Sequence, residues 1–126
     1  MQKPFTTFAV TRFVDRETVL DSLRERAKRL KAAVPEAAVY LFGSFATGTP
    51  TPRSDADIAV IIDSLEDSDS PSNRNPGYVQ DVATAVFLDA PVPTEIFVLS
   101  RAQIQEGRQT GRGVAGVVAR DGILLA

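Results

Sequence analysis

Five consecutive apolar residues, Ile58-Ala59-Val60-Ile61-Ile62, narrow the folds open to this 126-residue chain. A run that is short, β-branched and without polar alternates reads as a central strand covered on both faces. Such a strand requires a sheet with helices packed against it. A second run, Val39-Tyr40-Leu41-Phe42, is rich in strand formers and is cut off by Gly43-Ser44, after which a loop dense in Gly, Thr and Pro is expected up to Arg53. Thr94 to Leu99, following Pro91 and Pro93, reads as a third strand, and Ile123 to Leu125, after the turn signal Asp121-Gly122, as a short last one.

Helices fill the intervals. Asp15 is a plausible N-cap, and apolar residues then fall at Leu20, Leu23, Ala27, Leu30 and Val34, one stripe of an amphipathic helix that Pro35 ends. Tyr78 to Leu88 reads as a second helix, with Val79, Val82, Ala83, Val86 and Phe87 on its buried side. Ser100 with Gln103 forms a capping-box signature, which predicts a third helix from Arg101. Glycines at 107, 111, 113 and 116 leave its extent open. The order helix, strand, strand, helix, strand, helix, strand predicts an α/β (α+β) fold, a small mixed β-sheet with flanking helices. It forms one domain over residues 15–126, preceded by an N-terminal arm or extra strand over 1–14. The polar, Ser-rich and acidic stretch 63–76 reads as a loop.

Composition removes whole classes of chemistry. The chain has no cysteine, which excludes disulfides, zinc–thiolate sites and thiol nucleophiles. It has no histidine, which excludes the usual general base and every histidine-ligated metal. Carboxylates, hydroxyls, Lys, Arg and hard cations such as Mg2+ remain. No apolar run is long enough for a membrane span, and MQKPFTTFAV lacks a long apolar signal core, so a cytoplasmic location is the expectation. Charge is uneven: residues 1–34 carry eight basic and four acidic side chains, whereas 35–126 carry six and twelve. Arg24, Lys28 and Lys31 lie on one helical face, which reads more readily as a solvated surface than as a nucleic-acid site. Gly111 and Gly113 with Arg108 and Arg112 have the composition of a phosphate loop but no strand before them.

The stretch VYLFGSFATGTPTPRSDADIAVII, residues 39–62, carries the chemistry. Gly43, lacking a Cβ, lets backbone approach a ligand at the end of a buried strand. Ser44 offers a hydroxyl and an amide there, a workable phosphate cradle. Ten residues later Asp55-Ala56-Asp57 enters the next strand. In extended backbone the two aspartates point to one face with Cα atoms about 6–7 Å apart. Carboxylates so placed repel unless a cation lies between them, and they can share Mg2+. Two such ions roughly 3.5–4 Å apart can hold the attacking and leaving oxygens of an in-line phosphoryl displacement.

Gly-Ser, ten residues, then Asp-x-Asp resembles the signature of the DNA polymerase β-like nucleotidyltransferase superfamily. The small size resembles its minimal nucleotidyltransferases, the antitoxin halves of many prokaryotic toxin–antitoxin pairs. The resemblance implies that Gly43 and Ser44 contact nucleotide phosphates, and that Asp55 and Asp57 bind Mg2+. Relatives usually add a third carboxylate from the following strand, commonly Asp. Glu95 is the acid available here, as a third catalytic and metal-binding residue or as a solvated strand-end side chain. Many relatives also place an Arg before the second loop glycine, where this chain has Thr47 before Gly48. Arg53 is a candidate substitute for that grip or an ordinary turn residue, and Ser54 either caps the turn or touches the nucleotide.

A chain this short holds a nucleotide site but no extra domain for an acceptor, so another chain is expected to complete it. The leading expectation is an ATP-using, two-Mg2+ adenylyltransferase that modifies a hydroxyl of a partner protein, a helical toxin. Alternatives are transfer to a small molecule such as an aminoglycoside, or a catalytically weak protein that neutralises its partner by binding. Homo-oligomerisation is also open, and no membrane or direct nucleic-acid partner is expected.

Overall fold

The computed structural model of the protein describes residues 16–47, 55–63 and 75–126. Four strands form one mixed sheet: β1 Ala38–Phe42, β2 Ala56–Ile62, β3 Thr94–Ser100 and β4 Ile123–Leu124. Their order is β3-β2-β1-β4. β2 runs antiparallel to β1 and parallel to β3, while β4 is antiparallel to β1. The helices are α1 Arg16–Ala33, α2 Ser44–Thr47, α3 Pro76–Phe87, α4 Arg101–Thr110 and α5 Gly113–Asp121.

The two-sided burial expected of the 58–62 run is what the sheet shows. Ala56, Ile58, Val60 and Ile62 face a layer built by Leu20, Leu23, Ala27 and Leu30 of α1 and Val79, Ala83 and Phe87 of α3. Ala59 and Ile61 face the opposite layer, where Val114, Val117 and Val118 of α5 and Ile104 of α4 pack. β2 is therefore central, and α3 is the crossover that parallel β2 and β3 require.

Three local expectations need correction. The Gly-Thr-Pro stretch read as loop opens with a helical turn, α2, because Phe45 buries into the larger core and the Ala46 and Thr47 amides both donate to the Gly43 carbonyl. The helix read from Tyr78 starts earlier, at Pro76. Asn75 caps it by accepting from the Gly77 and Tyr78 amides, and proline suits the first helical turn. The last helical region is two helices. α4 begins with the expected capping box, Ser100 Oγ accepting from the Gln103 amide at 3.1 Å and Gln103 Oε1 from the Ser100 amide at 2.8 Å. It ends at Gly111 in a left-handed conformation, φ 70°. A Cβ at Gly107 would strike Ala115, and one at Gly116 would strike Gly111. Gly107 and Gly116 thus serve close packing of the α4–α5 hairpin, whereas Gly111 and Gly113, at the junction of the two helices and both at positive φ, face open space.

Among the described residues no helix is long and apolar enough to cross a membrane. Residues 1–14 lie outside the described residues, as do 64–74 of the acidic stretch.

Candidate active site

The site forms at the end of the sheet where β1 leaves and β2 and β3 begin. Antiparallel pairing sets Phe42 opposite Asp57, and parallel pairing sets Asp57 opposite Glu95. Directly paired residues share a face, so Phe42, Asp57 and Glu95 make one row across three strands. Asp55, two residues before Asp57, belongs to the same face by strand alternation. The backbone reinforces this placement: the Ala56 amide donates to the Pro93 carbonyl at 2.8 Å, tying the start of β2 to the turn that delivers Glu95.

Gly43 joins the two halves of the sequence motif. Its φ of 80° is in the left-handed region, and a Cβ built there would collide with Asp57 Oδ2. Ser44 then starts α2 with its side chain half-buried. Thr47, where many relatives place Arg, donates from Oγ1 to the Ser44 carbonyl at 3.3 Å and so closes the turn. Arg16, at the start of α1, donates from Nε to the Phe45 carbonyl at 2.9 Å and from Nη2 to the Ala46 carbonyl at 3.2 Å. Sequence reasoning missed this anchor. Its partners are backbone atoms about thirty positions away, which leave no local signal.

The electrostatics of the row are those of crowded acids. The Asp57 carboxyl is pushed above the ordinary aspartate range, first by burial, then by the charges of Glu95 and Asp55. On the same face the Phe42 and Phe97 rings meet edge-on, their centroids 5.4 Å apart. Asp55 and Glu95 are exposed. Among the described residues no group of three or more acidic side chains lies close enough together to hold a metal ion as they stand. The donor set is nonetheless all carboxylate oxygen, and its central member is disfavoured as an anion by its neighbours. That combination suits a hard divalent cation, whose charge would relieve the repulsion.

The fold thus brings together Gly43, Ser44, Asp55, Asp57 and Glu95. Arg53 and Ser54 lie outside the described residues. The lysine-bearing face of α1 is exposed, with Arg24 3.6 Å from Asp21.

Comparison with known proteins places the chain in a family. Residues 20–108 match the family model described as a nucleotidyltransferase domain. A protein adenylyltransferase MntA from Aphanizomenon flos-aquae (strain 2012/KM1/D3) is 32% identical over 114 residues, covering 88% of this chain and 71% of that protein. A Sulfolobus solfataricus protein, described as a nucleotidyltransferase, has a crystal structure that superposes with a TM-score of 0.57. That alignment covers 90% of this chain and 85% of the other at 16% identity, a likeness of fold alone. With a matching family model over well more than half its length and a curated relative above 30% identity, this chain belongs to the nucleotidyltransferase domain family, among its minimal members.

Proposed function

We propose that this nucleotidyltransferase is a Mg2+-dependent protein adenylyltransferase that moves AMP from ATP to a hydroxyl, such as that of a tyrosine, on a partner protein. The reading extends to an antitoxin-type role in the cytoplasm, with a helical toxin as the partner. The observation that carries it is the contact between Gly43 and Asp57, which puts the Gly-Ser turn against the carboxylate row. The similarity to a protein adenylyltransferase supports the choice of acceptor class.

In this reading Gly43 and the Ser44 hydroxyl and amide hold the triphosphate, with Arg53 and Ser54 as further nucleotide contacts. Asp55, Asp57 and Glu95 would hold Mg2+, two ions by analogy with in-line displacement, which neutralises the phosphates and orients the attacking and leaving oxygens when bound. The acceptor oxygen forms an ester bond to the α-phosphorus, and the bond from that phosphorus to the oxygen bridging to the β-phosphate breaks. Pyrophosphate leaves. Glu95, exposed at the outer strand, takes the hydroxyl proton.

The test is transfer of label from α-labelled ATP in the presence of Mg2+ and the product of a neighbouring gene. Asp57→Asn keeps the shape and removes the charge. Label on the partner with wild type and none with Asp57→Asn is the expected result. A partner silenced equally well by both proteins, without any change in its mass, would instead establish neutralisation by binding.

A further inference from the structure

β3 is the outer strand of the sheet. It pairs with β2 without a break from Thr94 to Ser100, and among the described residues no strand pairs with its other side. Edge strands are commonly blunted by lysine, proline, a bulge or a covering element. β3, with the sequence TEIFVLS, has no lysine and no proline, and its register has no bulge. The outer ladder of amide and carbonyl groups is therefore competent to accept another extended chain.

Alongside it, between α3 and β3, lies a groove of about 670 Å3 walled by Thr84, Phe87, Leu88, Val92 and Ile96 and reaching Glu95. Leu88 is 81% exposed on its rim. The charged residues of α3, β3 and the turn between them are all acidic, and Arg101, which follows β3, is paired with Asp63. Residues 75–100 contain Asp81, Asp89 and Glu95 and neither lysine nor arginine. Arg26, the cation that reaches this region from α1, is already bound to Asp89 at 3.1 Å.

We infer that this edge and groove dock the acceptor: an extended, basic segment of a partner polypeptide adds to β3 as a fifth strand. The inference rests on the transfer reading above and names its substrate-binding surface. Each feature selects part of the occupant. The open ladder selects extended polypeptide backbone over a helix or a small molecule. The groove takes alternate apolar side chains, and the unpaired acids favour flanking lysine or arginine. Geometry then connects docking to chemistry. A residue paired with Glu95 from outside lies about 4.8 Å away and points to the same face as Glu95 and Asp57. A hydroxyl on that residue is delivered to the carboxylate row.

The probes, used with the full chain, are two fluorescein-labelled peptides, Lys-Lys-Val-Tyr-Val-Lys-Lys and Glu-Glu-Val-Tyr-Val-Glu-Glu, in which the valines point to the groove face when the tyrosine points to the Glu95 face. Anisotropy measures binding, and amide hydrogen exchange locates it. The expected result is binding of the basic peptide at least tenfold tighter than the acidic one, with slowed exchange along 94–100. Leu88→Lys, at an exposed position, should weaken that binding at least fivefold with an unchanged melting temperature. Thr84→Lys, one helical turn before Leu88 on the same α3 wall and also exposed, is the second variant and should do the same. Equal affinity for both peptides, protection elsewhere, or indifference to both variants would overturn the assignment. So would a concentration-dependent dimer that Leu88→Lys dissociates, because the edge would then belong to a second copy. Labelled ATP separates this inference from its premise. Bound and protected but unlabelled peptide keeps the docking edge and overturns the transfer reading. Labelled tyrosine that neither variant diminishes keeps the transfer reading and overturns the docking edge.

Discussion

The carboxylate of Asp57 occupies the space that a side chain at Gly43 would need. Fourteen positions apart in sequence, the two are neighbours because β1 and β2 pair antiparallel and end together at Phe42 and Asp57. Gly43 is thus required twice, by its positive φ and by the oxygen beside it.

Gly43→Ala should therefore damage the site more than the fold. The left-handed conformation alone costs an alanine about 1–2 kcal/mol, and the collision forces Asp57 or the turn to move. The expected outcome is a lowered urea midpoint in a protein that still folds cooperatively, with nucleotide transfer reduced by about 10²-fold or more, on the scale of losing a well-placed stabilising group. Wild-type turnover in the variant would show that the Gly43–Asp57 contact is incidental.

Asp57→Asn carries a pH signature. Asp57 titrates above its unfolded value of about 3.8, so its proton is held more tightly in the folded state. Its contribution to stability is fully present below the unfolded pKa and is lost as pH rises through the raised folded pKa. Asparagine has no such dependence. The variant should match wild type in strong acid and gain on it as pH rises through the acidic range to neutrality, measured as urea midpoints without divalent ions. A variant advantage that shrinks as pH rises would contradict the crowded-acid description.

Mg2+ should reverse that advantage. An ion bound only by the folded protein stabilises it by about 2.7 kcal/mol at a hundred times its Kd. Added Mg2+ should raise the melting temperature of wild type and leave Asp57→Asn nearly unmoved, and EDTA should abolish transfer. Full transfer in metal-free buffer would refute the carboxylate–metal assignment.

Arg16 acts through the turn that carries Ser44. Its guanidinium straddles the Phe45 and Ala46 carbonyls, so Arg16→Gln should cost about 1–2 kcal/mol and loosen the turn. The KM for nucleotide should rise more than kcat falls, because phosphate holding is what the turn supplies. Arg16→Lys should restore little, since a single ammonium lacks the planar fork that reaches both carbonyls. Steady-state kinetics with ATP varied at fixed acceptor distinguish this from a general loss of fold.

Much of this protein was legible before its fold was known. The stripe from Leu20 to Leu30 determined α1, the unbroken run Ile58–Ile62 determined a strand buried on both faces, and Ser100 with Gln103 determined where α4 starts. Such signals are local, set by periodicity and by side chains bonding to nearby backbone. The Gly-Ser and Asp-x-Asp pattern likewise pointed to the family before any distance was known, because its residues stand at a fixed spacing within one short stretch. Tertiary structure alone decided the rest. The helical turn at Ser44–Thr47 exists because Phe45 finds a core and Arg16 caps its carbonyls from another helix. The split between α4 and α5 follows from Gly107 meeting Ala115 and Gly116 meeting Gly111. Glu95 stands beside Asp57 through the parallel register of β2 and β3, which no composition or spacing encodes. Strand register is settled by the summed fit of both sheet faces, a property of the whole core, and it alone turned separate acids into one site.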